Sequence, residues 1–380
     1  MLHFKDPSKL RTKKIVFEAV YPAQDSGTLE QLKELSSKRV NVESINENNS
    51  ITEAIAREMS GGLTSQCEQD IQKLELYLPL LENLVHHVDL IGDDPLVIRW
   101  TSDLKIKWTS VLSSSFFFNL MGPRFFQIDN MRFELGMVLF LYGAMLREWA
   151  SQVLVTDLVQ SATLFRKAAG VYHYLAHEVL PSLQGALTPE GPPEATSSVS
   201  SVMSFICLAE AQIVTIMKAE EKRSADGLLA KLHYGVVQLF DEATTFFSAA
   251  AKECKDISPI LMEYISSSKG VHELRSYKFM AQALKADGQI GTAIGLLQHA
   301  LNNVQKNVGG MESWRMVMKQ DIDTVTELLR KYKHENEFVW HEKIPFDDHL
   351  PLLQGKKIAT CIPYRPERWE RTLALKKGNS

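Results

Sequence analysis

Residues 277–304 have the sequence YKFMAQALKADGQIGTAIGLLQHALNNV, and this stretch decides the fold class. Apolar residues recur every three or four positions on both sides of Gly288, which is the spacing of an α-helix with one buried face. Small residues stand where two helices must approach closely, at Ala281, Ala293 and Ala300. The stretch therefore predicts two closely packed helices that are separated by a break at Gly288.

The same helical spacing continues over most of the chain. It predicts helices at about 28–48, 51–60, 64–88, 102–121, 131–150, 153–182, 198–222, 225–253, 257–286, 289–307 and 311–334. Only residues 14–21, KIVFEAVY, have the β-branched and aromatic content of a strand. From about residue 338 to residue 380 the sequence is rich in proline, so we expect extended chain that packs on the helices. The sequence predicts a mainly α fold with a small N-terminal β element.

The domain organisation follows from the length of the chain and from one linker. With 380 residues, the chain exceeds the usual size of a single core, about 250–300 residues. Residues 184–201 contain Pro189, Gly191, Pro192 and Pro193 and predict a flexible loop between two helices. Because the helices on both sides are of the same type, we expect one domain over residues 1–380. The helix pair at 277–304 resembles a tetratricopeptide unit, which buries its apolar face by stacking on neighbours.

Composition excludes several classes of protein. With 45% hydrophobic and 23% charged residues the chain can fill a core. A net charge of −4 argues against a partner nucleic acid, because nucleic-acid binders usually carry a strongly basic domain. The four cysteines lie far apart without CxxC spacing, which is typical of reduced thiols in a cytosolic protein. The longest uncharged apolar run, residues 135–146, is shorter than the about 20 residues that cross a bilayer. We therefore expect a soluble protein.

The sequence shows little sign of catalysis. His173 and His177 lie four residues apart and would share one helix face, but further metal ligands are not evident, so we interpret them as surface or packing residues. The motifs GxxxxGK[ST], GxGxxG, GxSxG and HExxH are absent from the sequence. We expect a protein without enzymatic activity, cofactor or metal. A helical enzyme with an unrecognised site is the less favoured alternative.

A basic cluster near the start of the chain has two interpretations. Lys5, Lys9, Arg11, Lys13 and Lys14 could contact an anionic membrane, at up to about 1 kcal/mol for each residue near the surface. A solvated terminus explains the cluster equally well.

The predicted helix at 225–253 carries an apolar face wider than the stripe of about 100° that one packing seam needs. One flank of this face holds Leu228, Leu232 and Leu239, and the other holds Leu229, Phe240 and Phe247. One flank could pack on the core while the other lines an open groove. Burial of the whole helix between two layers is an equally good interpretation.

Short segments along most of the chain carry a family signature. They are FKDPSKLRTKKIVFEAVY at 4–21, Phe133-Glu134 with VLF at 138–140, AAGVY at 168–172, LAEAQ at 208–212, GTAIGLLQHA at 291–300, and ENEFVW at 335–340 followed by KIP at 343–345. In this order they resemble the BRO domain family of ALIX-like proteins, especially the short stand-alone forms found in plants.

The resemblance implies an elongated, curved helical body with a tetratricopeptide-like core and a small N-terminal β element. It also implies a cytoplasmic adaptor that is recruited to endosomes, where the ESCRT pathway sorts cargo into multivesicular bodies. Its partner would be the C-terminal amphipathic helix of an ESCRT-III subunit, bound in a hydrophobic surface groove. Binding of ESCRT-I components, or competition with their other adaptors, is the alternative function.

The resemblance also indicates which residues would line the groove. The segment DGLLAKL at 226–232 matches the family's groove helix, so Leu228 and Leu232 are the implied contacts and Lys231 the implied rim charge. Thr215 stands where the family often has a phenylalanine, which reduces the apolar patch. Residues 155–160 show no match to the family's charged contacts. This mechanism requires that both Leu228 and Leu232 are exposed.

Overall fold

The computed structural model describes residue 2 and residues 7–45, 66–92, 94–114, 124–304, 311–367 and 371–376. Its helices are α1 (Ser26–Glu43), α2 (Gln66–Leu90), α3 (Pro95–Asp103), α4 (Met131–Val153), α5 (Leu158–Tyr174), α6 (Ser197–Glu221), α7 (Asp226–Glu253), α8 (Pro259–Ala286), α9 (Ile290–Val304) and α10 (Glu312–Glu335). Two short strands, β1 (Lys107–Thr109) and β2 (Phe125–Gln127), form an antiparallel pair. The predicted mainly α fold is confirmed, and Gly288, at φ 79°, ends the turn between α8 and α9.

Two local predictions in the N-terminal part are wrong, and a third cannot be compared with the structure. The helix predicted at 102–121 is wrong in its described part, because α3 ends at Asp103 and β1 follows. The strand predicted at 14–21 is wrong as well. Its apolar side chains Ile15, Phe17 and Tyr21 are all buried, and a short 3₁₀ turn replaces the strand. The β pairing occurs slightly earlier, where Thr12 bridges Trp108 of β1. The helix predicted at 51–60 lies outside the described residues.

A buried ion pair joins the N-terminal helices to the small sheet. Arg39 of α1 donates from Nε to Oε1 of Glu134 in α4 over 2.6 Å, and both side chains are fully buried. Trp108 of β1 donates to the other oxygen of the same carboxylate at 2.6 Å, and Tyr77 of α2 donates to Oε1 at 3.2 Å. Buried charges are tolerated only when they are paired and hydrogen-bonded. Glu134 therefore holds four elements in one arrangement.

A second buried ion pair holds the central helices. Arg147 of α4 donates from Nε to Oε2 of Glu210 in α6 over 2.8 Å, and Tyr264 of α8 donates to Oε1 at 2.8 Å. Burial alone lowers the pKa of Arg147, but the Glu210 carboxylate outweighs burial and holds the pKa above its ordinary value. Arg147 therefore stays charged, and its removal would leave a buried carboxylate without its counter-charge.

From α4 to α8 each helix packs mainly against the next one in the chain. The middle helix α6 is apolar enough to meet the length and hydropathy criteria for a membrane span, with a mean hydropathy of 1.7 over its most apolar window. However, 83% of that window is buried inside the structure, mostly between α5 and α7. Its composition is therefore that of a central core helix.

The stretch 184–201, predicted to be a flexible loop, is packed onto the body in the structure. Glu194 is fully buried, and its carboxylate accepts hydrogen bonds from the backbone N–H groups of Val111 and Leu112 at 2.7 and 2.8 Å and from the Ser110 hydroxyl at 2.7 Å. Thr196 then caps the start of α6. The prolines and glycine predicted a loop, but they could not show that a carboxylate anchors this stretch or that α6 already begins at Ser197.

The C-terminal chain lies across the helices in extended form, and we call residues 341–376, in their described part, the strap. It crosses α9, α7, α6, α5, α2 and α1 in turn. Its backbone bonds include Ile362 N to Arg166 O at 3.0 Å and Gln24 N to Ala374 O at 2.9 Å. The strap thus connects the last helices of the chain to the first.

Candidate functional site

The strap crosses α7 within the segment that the sequence singled out as a groove. The Lys356 N–H donates to the Lys231 backbone oxygen at 2.8 Å. Gly235, one turn further along α7, leaves no space for a side chain, because an added Cβ would lie 2.4 Å from the Lys356 oxygen. The extended strap can therefore lie directly on the backbone of α7 at this turn.

Gln212 of the LAEAQ segment fastens this crossing from α6. Its Nε2 donates to the Leu232 backbone oxygen at 2.7 Å and to the Lys356 oxygen at 3.0 Å. Its Oε1 accepts from the Ile358 N–H at 2.9 Å. One side-chain amide thus bonds to both α7 and the strap, and the three segments meet over the turn of α7 that contains Leu232.

Leu232 is therefore buried, with 4% of its surface exposed, and the expectation that it is an open contact residue is wrong. Leu228 and Leu232 differ by only about 40° around α7, since a helix has 3.6 residues per turn. Their different exposure comes from their positions along the helix axis. Leu232 is one turn closer to the residues where the strap crosses α7. Gln212 of α6 and Lys356 of the strap meet at that turn, whereas the preceding turn borders an open hollow.

Leu228 is exposed, with 38% of its surface accessible, as the groove interpretation requires. It faces a hollow of about 440 Å³ between the start of α7, the end of α8 and the strap. The hollow is lined by Gly227, Leu228, Lys231, Met280, Ala283, Leu284, Asp287 and Lys356. This hollow, rather than the Leu228–Leu232 pair, is the candidate site.

Of the two other predicted site residues, Lys231 lines the hollow and Thr215 lies on the neighbouring helix α6. Thr215 of α6 is half-buried, and its hydroxyl donates to the Ala211 backbone oxygen at 2.9 Å, so its polar group is already satisfied by its own helix. Lys231 is exposed, and among the described residues no carboxylate lies within ion-pair distance of its ammonium group. The structure thus places Leu228 and Lys231 at the hollow and Leu232 in the core, and Thr215 as a contact residue stays a prediction.

The sequence did not identify two exposed valines where α4 is followed by α5. Val155, in the turn between α4 and α5, is almost fully exposed, and Val159 in the first turn of α5 is 55% exposed. Both lie in the stretch 155–160, which shows no match to the charged contacts of the family. Single exposed apolar residues are common on protein surfaces, so the sequence alone offered no signal for these two valines.

A pair of histidines is buried behind the hollow, between α7 and α8. Nδ1 of His233 lies 2.9 Å from Nδ1 of His272, so one ring must donate and the other accept. Burial lowers the pKa of both rings below the ordinary value of 6.5, although Glu220, 3.9 Å from Nε2 of His233, partly opposes this for His233. The pair is neutral at physiological pH.

The described residues contain no group of three or more acidic, histidine or cysteine side chains that could hold a metal ion. His173 and His177 are exposed, and Nδ1 of His177 lies 2.8 Å from the His173 backbone oxygen. This contact occupies one ring nitrogen of the pair.

The basic cluster near the start of the chain lies on the surface in its described part. Lys9, Arg11, Lys13 and Lys14 are exposed, and the ammonium group of Lys13 lies 4.5 Å from the centre of the Phe125 ring. Lys5 lies outside the described residues. Contact of this cluster with an anionic membrane stays a prediction.

The chain is also similar in sequence to known proteins. The model of the BRO1-like domain family matches residues 35–378. The programmed cell death 6-interacting protein of Xenopus laevis is 26% identical over 228 residues, which are 57% of this chain and 24% of that protein. The apoptosis-linked gene 2-interacting protein X 1 of Caenorhabditis elegans is 23% identical over 367 residues, 90% of this chain and 38% of that protein. The chain thus spans about a quarter to two fifths of the length of these relatives.

Solved structures share the fold. The ALIX BRO1 domain in its complex with CHMP4C superposes with a TM-score of 0.66 at 19% identity, covering 96% of this chain and 97% of that one. A Bro1 domain whose structure was described as a basis for endosomal targeting gives a TM-score of 0.66 at 16% identity, covering 97% and 93%. At these identities the likeness concerns the helical architecture alone.

Proposed function

The chain belongs to the BRO1-like domain family, and from this membership we propose that it is an ESCRT-associated adaptor that recruits partners without catalysing a reaction. Its partner in this proposal is the C-terminal amphipathic helix of an ESCRT-III subunit, and its role is in multivesicular body sorting. The observation that carries the proposal is Leu228, exposed above an open hollow beside Lys231. The ALIX BRO1 domain, which has the same fold, was solved with CHMP4C, and this supports the choice of partner.

The binding mode would be a helix in a groove. Leucines of the partner would enter the hollow next to Leu228 and Met280, and Lys231 would stay on the rim. Each buried leucine contributes about 1.5–3 kcal/mol, from which the costs of association and side-chain ordering are subtracted. A few such contacts support a dissociation constant on the order of micromolar, as suits a reversible assembly factor.

The place of action in this proposal is the cytoplasmic face of endosomes. The similar Bro1 domain described for endosomal targeting supports this location. Recruitment would follow from partner binding, because the partner forms polymers on the membrane and presents many copies of its helix there. Avidity would then raise the residence time without a new contact.

A titration of the fluorescently labelled C-terminal helix of CHMP4C tests the proposal. Leu228→Asp should weaken binding by at least tenfold and leave the melting temperature nearly unchanged, because the side chain is exposed. The matched control is Leu76→Asp on α2, where the leucine is 46% exposed and should not affect binding. Equal affinity of wild type and Leu228→Asp would refute the proposed site. Binding of ESCRT-I subunits in a parallel pull-down, without ESCRT-III, would favour the alternative adaptor role.

A further inference from the structure

We propose that a cavity between α2, α4, α5 and the strap binds an extended peptide segment of a partner, with an arginine of the segment at the α2 end and a carboxylate at the α5 end. The cavity has a volume of about 480 Å³. We call it the tyrosine cavity, and its polar and aromatic lining residues are Glu75, Tyr142, Lys167, Tyr364, Arg365 and Glu367. None of them lines the hollow at Leu228, so the inference goes beyond the proposed function and does not depend on it.

Three helices and the strap form the walls of the tyrosine cavity. α4 packs against both α2 and α5 and therefore lies between them. The apolar wall consists of buried side chains from all three helices, which are Leu78, Pro79, Leu146 and Val171. The strap is bound on both sides of the cavity, because the Ile362 N–H donates to the Arg166 oxygen of α5 at 3.0 Å and Asn83 of α2 donates to the Arg371 oxygen at 3.0 Å. The cavity is therefore formed before a ligand arrives, as is usual for binding sites.

Two tyrosine rings are held in fixed positions at the cavity. The Tyr142 hydroxyl donates to Oε1 of Glu75 at 2.9 Å, and the Tyr364 hydroxyl donates to Oε1 of Glu82 at 2.9 Å. Burial raises the pKa of both tyrosines above its ordinary value, and the neighbouring carboxylates raise it further, so both hydroxyl groups stay protonated. The centres of the two rings lie 6.2 Å apart, and the ring planes are inclined by 64°. Ring faces attract a cation within about 6 Å, and rings that are already fixed lose little freedom when it binds.

The acceptors at the α2 end favour a guanidinium group. Tyr142 occupies one oxygen of the Glu75 carboxylate, and the other oxygen can accept a further hydrogen bond. Glu367 is close enough to raise the pKa of Tyr142, so a second carboxylate acts at this end. Pro79 lies inside α2 and has no N–H, so it cannot donate to the Glu75 backbone oxygen. A planar guanidinium stacks on an aromatic ring and donates to carboxylates in its own plane, whereas the ammonium group of lysine is a compact point charge.

The α5 end of the cavity carries a positive charge. Lys167 of α5 lines it, and Arg365 lines the cavity from the strap, both of them exposed. With Glu75 and Glu367 these residues give the lining a net charge of zero, and in the part of the chain that the structure describes none of the four forms an ion pair. A purely basic or purely acidic ligand would be repelled at one end, whereas a ligand with both charges would pair at both ends.

The width of the cavity indicates a peptide segment. Neighbouring helix axes are about 8–10 Å apart, so the axes of α2 and α5, on either side of α4, are about 16–20 Å apart. Because Glu75 and Lys167 line the same cavity, their charged groups are closer together than these axes. Two residues four positions apart in an extended chain are separated by about 13 Å, which a single amino acid does not span. Apolar residues between the two charges would contact the apolar wall.

The test uses the full chain and the synthetic peptide GRVPVEG, whose arginine and glutamate are four positions apart. Saturation-transfer difference NMR should give a dissociation constant below about 1 mM. Citrulline in place of the arginine keeps the shape without the charge and should weaken binding at least fivefold, and lysine should weaken it about threefold. No binding of GRVPVEG, or equal affinity of the citrulline peptide, would overturn the proposal. Equal affinity of the lysine peptide would overturn the choice of a guanidinium group.

Exchange of charges in the chain locates the site. Glu75→Gln should weaken binding of GRVPVEG about fivefold and leave the melting temperature unchanged, because Glu75 is exposed. The matched control is Glu30→Gln on α1, an exposed carboxylate outside the cavity, which should change the affinity less than twofold. Equal affinities of these two variants would refute the site.

Lys167→Glu tests the α5 end by rescue. It should weaken binding of GRVPVEG about tenfold and improve binding of GRVPVKG, in which a lysine replaces the glutamate. If GRVPVKG binds Lys167→Glu no better than wild type, the α5 end is wrongly assigned. Leu228→Asp should bind GRVPVEG as wild type does, and Glu75→Gln should bind the CHMP4C helix as wild type does. Failure of this inference is therefore distinguishable from failure of the proposed function.

Discussion

Replacement of Leu232 and of Leu228 by alanine should have opposite consequences, although the two residues are only one helical turn apart. Leu232 is 4% exposed at the crossing of α6, α7 and the strap, so its removal leaves a cavity that the fastened strap cannot close. A buried leucine replaced by alanine costs about 2–5 kcal/mol. Because Gln212 holds the surroundings in place, we expect a loss of about 3 kcal/mol in the free energy of unfolding.

Leu228 should contribute much less to stability. Its side chain is 38% exposed at an open hollow, where water fills the space that alanine leaves. Leu228→Ala should therefore lower the free energy of unfolding by less than about 1 kcal/mol, in the range of ordinary surface substitutions. In the binding titration the order of the two effects should reverse. Leu228→Ala should weaken binding. Leu232→Ala should bind nearly as well as wild type when it is measured at a low temperature at which it stays folded.

Urea unfolding followed by circular dichroism measures both variants, with the slope m serving as a check that the extent of unfolding is unchanged. A cost for Leu232→Ala no greater than that for Leu228→Ala would refute the reasoning, since it would mean that strap and α6 do not cover Leu232. Leu232→Asp should be more harmful still, because it buries a charge without a partner. Loss of partner binding in that variant would report loss of fold and not loss of a contact.

Three other predictions concern the strap, the loop before α6 and the histidine pair. Gly235→Ala should displace the strap, because the added Cβ would lie 2.4 Å from the Lys356 oxygen, and hydrogen exchange should show faster exchange of the Lys356 amide. Glu194→Ala should lower the free energy of unfolding by about 2–6 kcal/mol, since two buried backbone N–H groups lose their acceptor at about 1–3 kcal/mol each, and thermal unfolding checks this. Stability should be constant above about pH 7 and fall as pH drops through 6.5, by up to about 1.4 kcal/mol per pH unit for each of His233 and His272, because burial lowers their pKa in the folded chain and the unfolded chain takes up protons first. His233→Gln should roughly halve this slope in urea titrations between pH 5.5 and 6.5, and an unchanged slope would contradict the assignment.

The sequence was sufficient to predict the helices, because they depend on local periodicity. Every helix predicted beyond residue 131 is present, and α7 was correctly described as having an apolar face too wide for one seam. Periodicity leaves open which part of a wide face is covered, because residues four apart differ by only about 40° around the helix. At Leu228 and Leu232 the covering segment comes from residues more than 120 positions away, and it binds through backbone groups that have no sequence period.

The segments that carried the family resemblance show why the burial of Leu232 could not be predicted from the sequence. Glu134 and Gln212 bond to groups that are distant in sequence, and Gly170 and Gly291 leave space for the strap oxygens of Ile362 and Lys343. These positions maintain the contact between strap and helices, and they do not contact a partner in the proposed site. A match at such positions therefore supports the fold strongly and the groove only weakly. If the strap sets which turn of α7 is open, partner choice depends on the residues that line the hollow beside that turn, such as the exposed Leu228 and Lys231, and not on the buried Leu232.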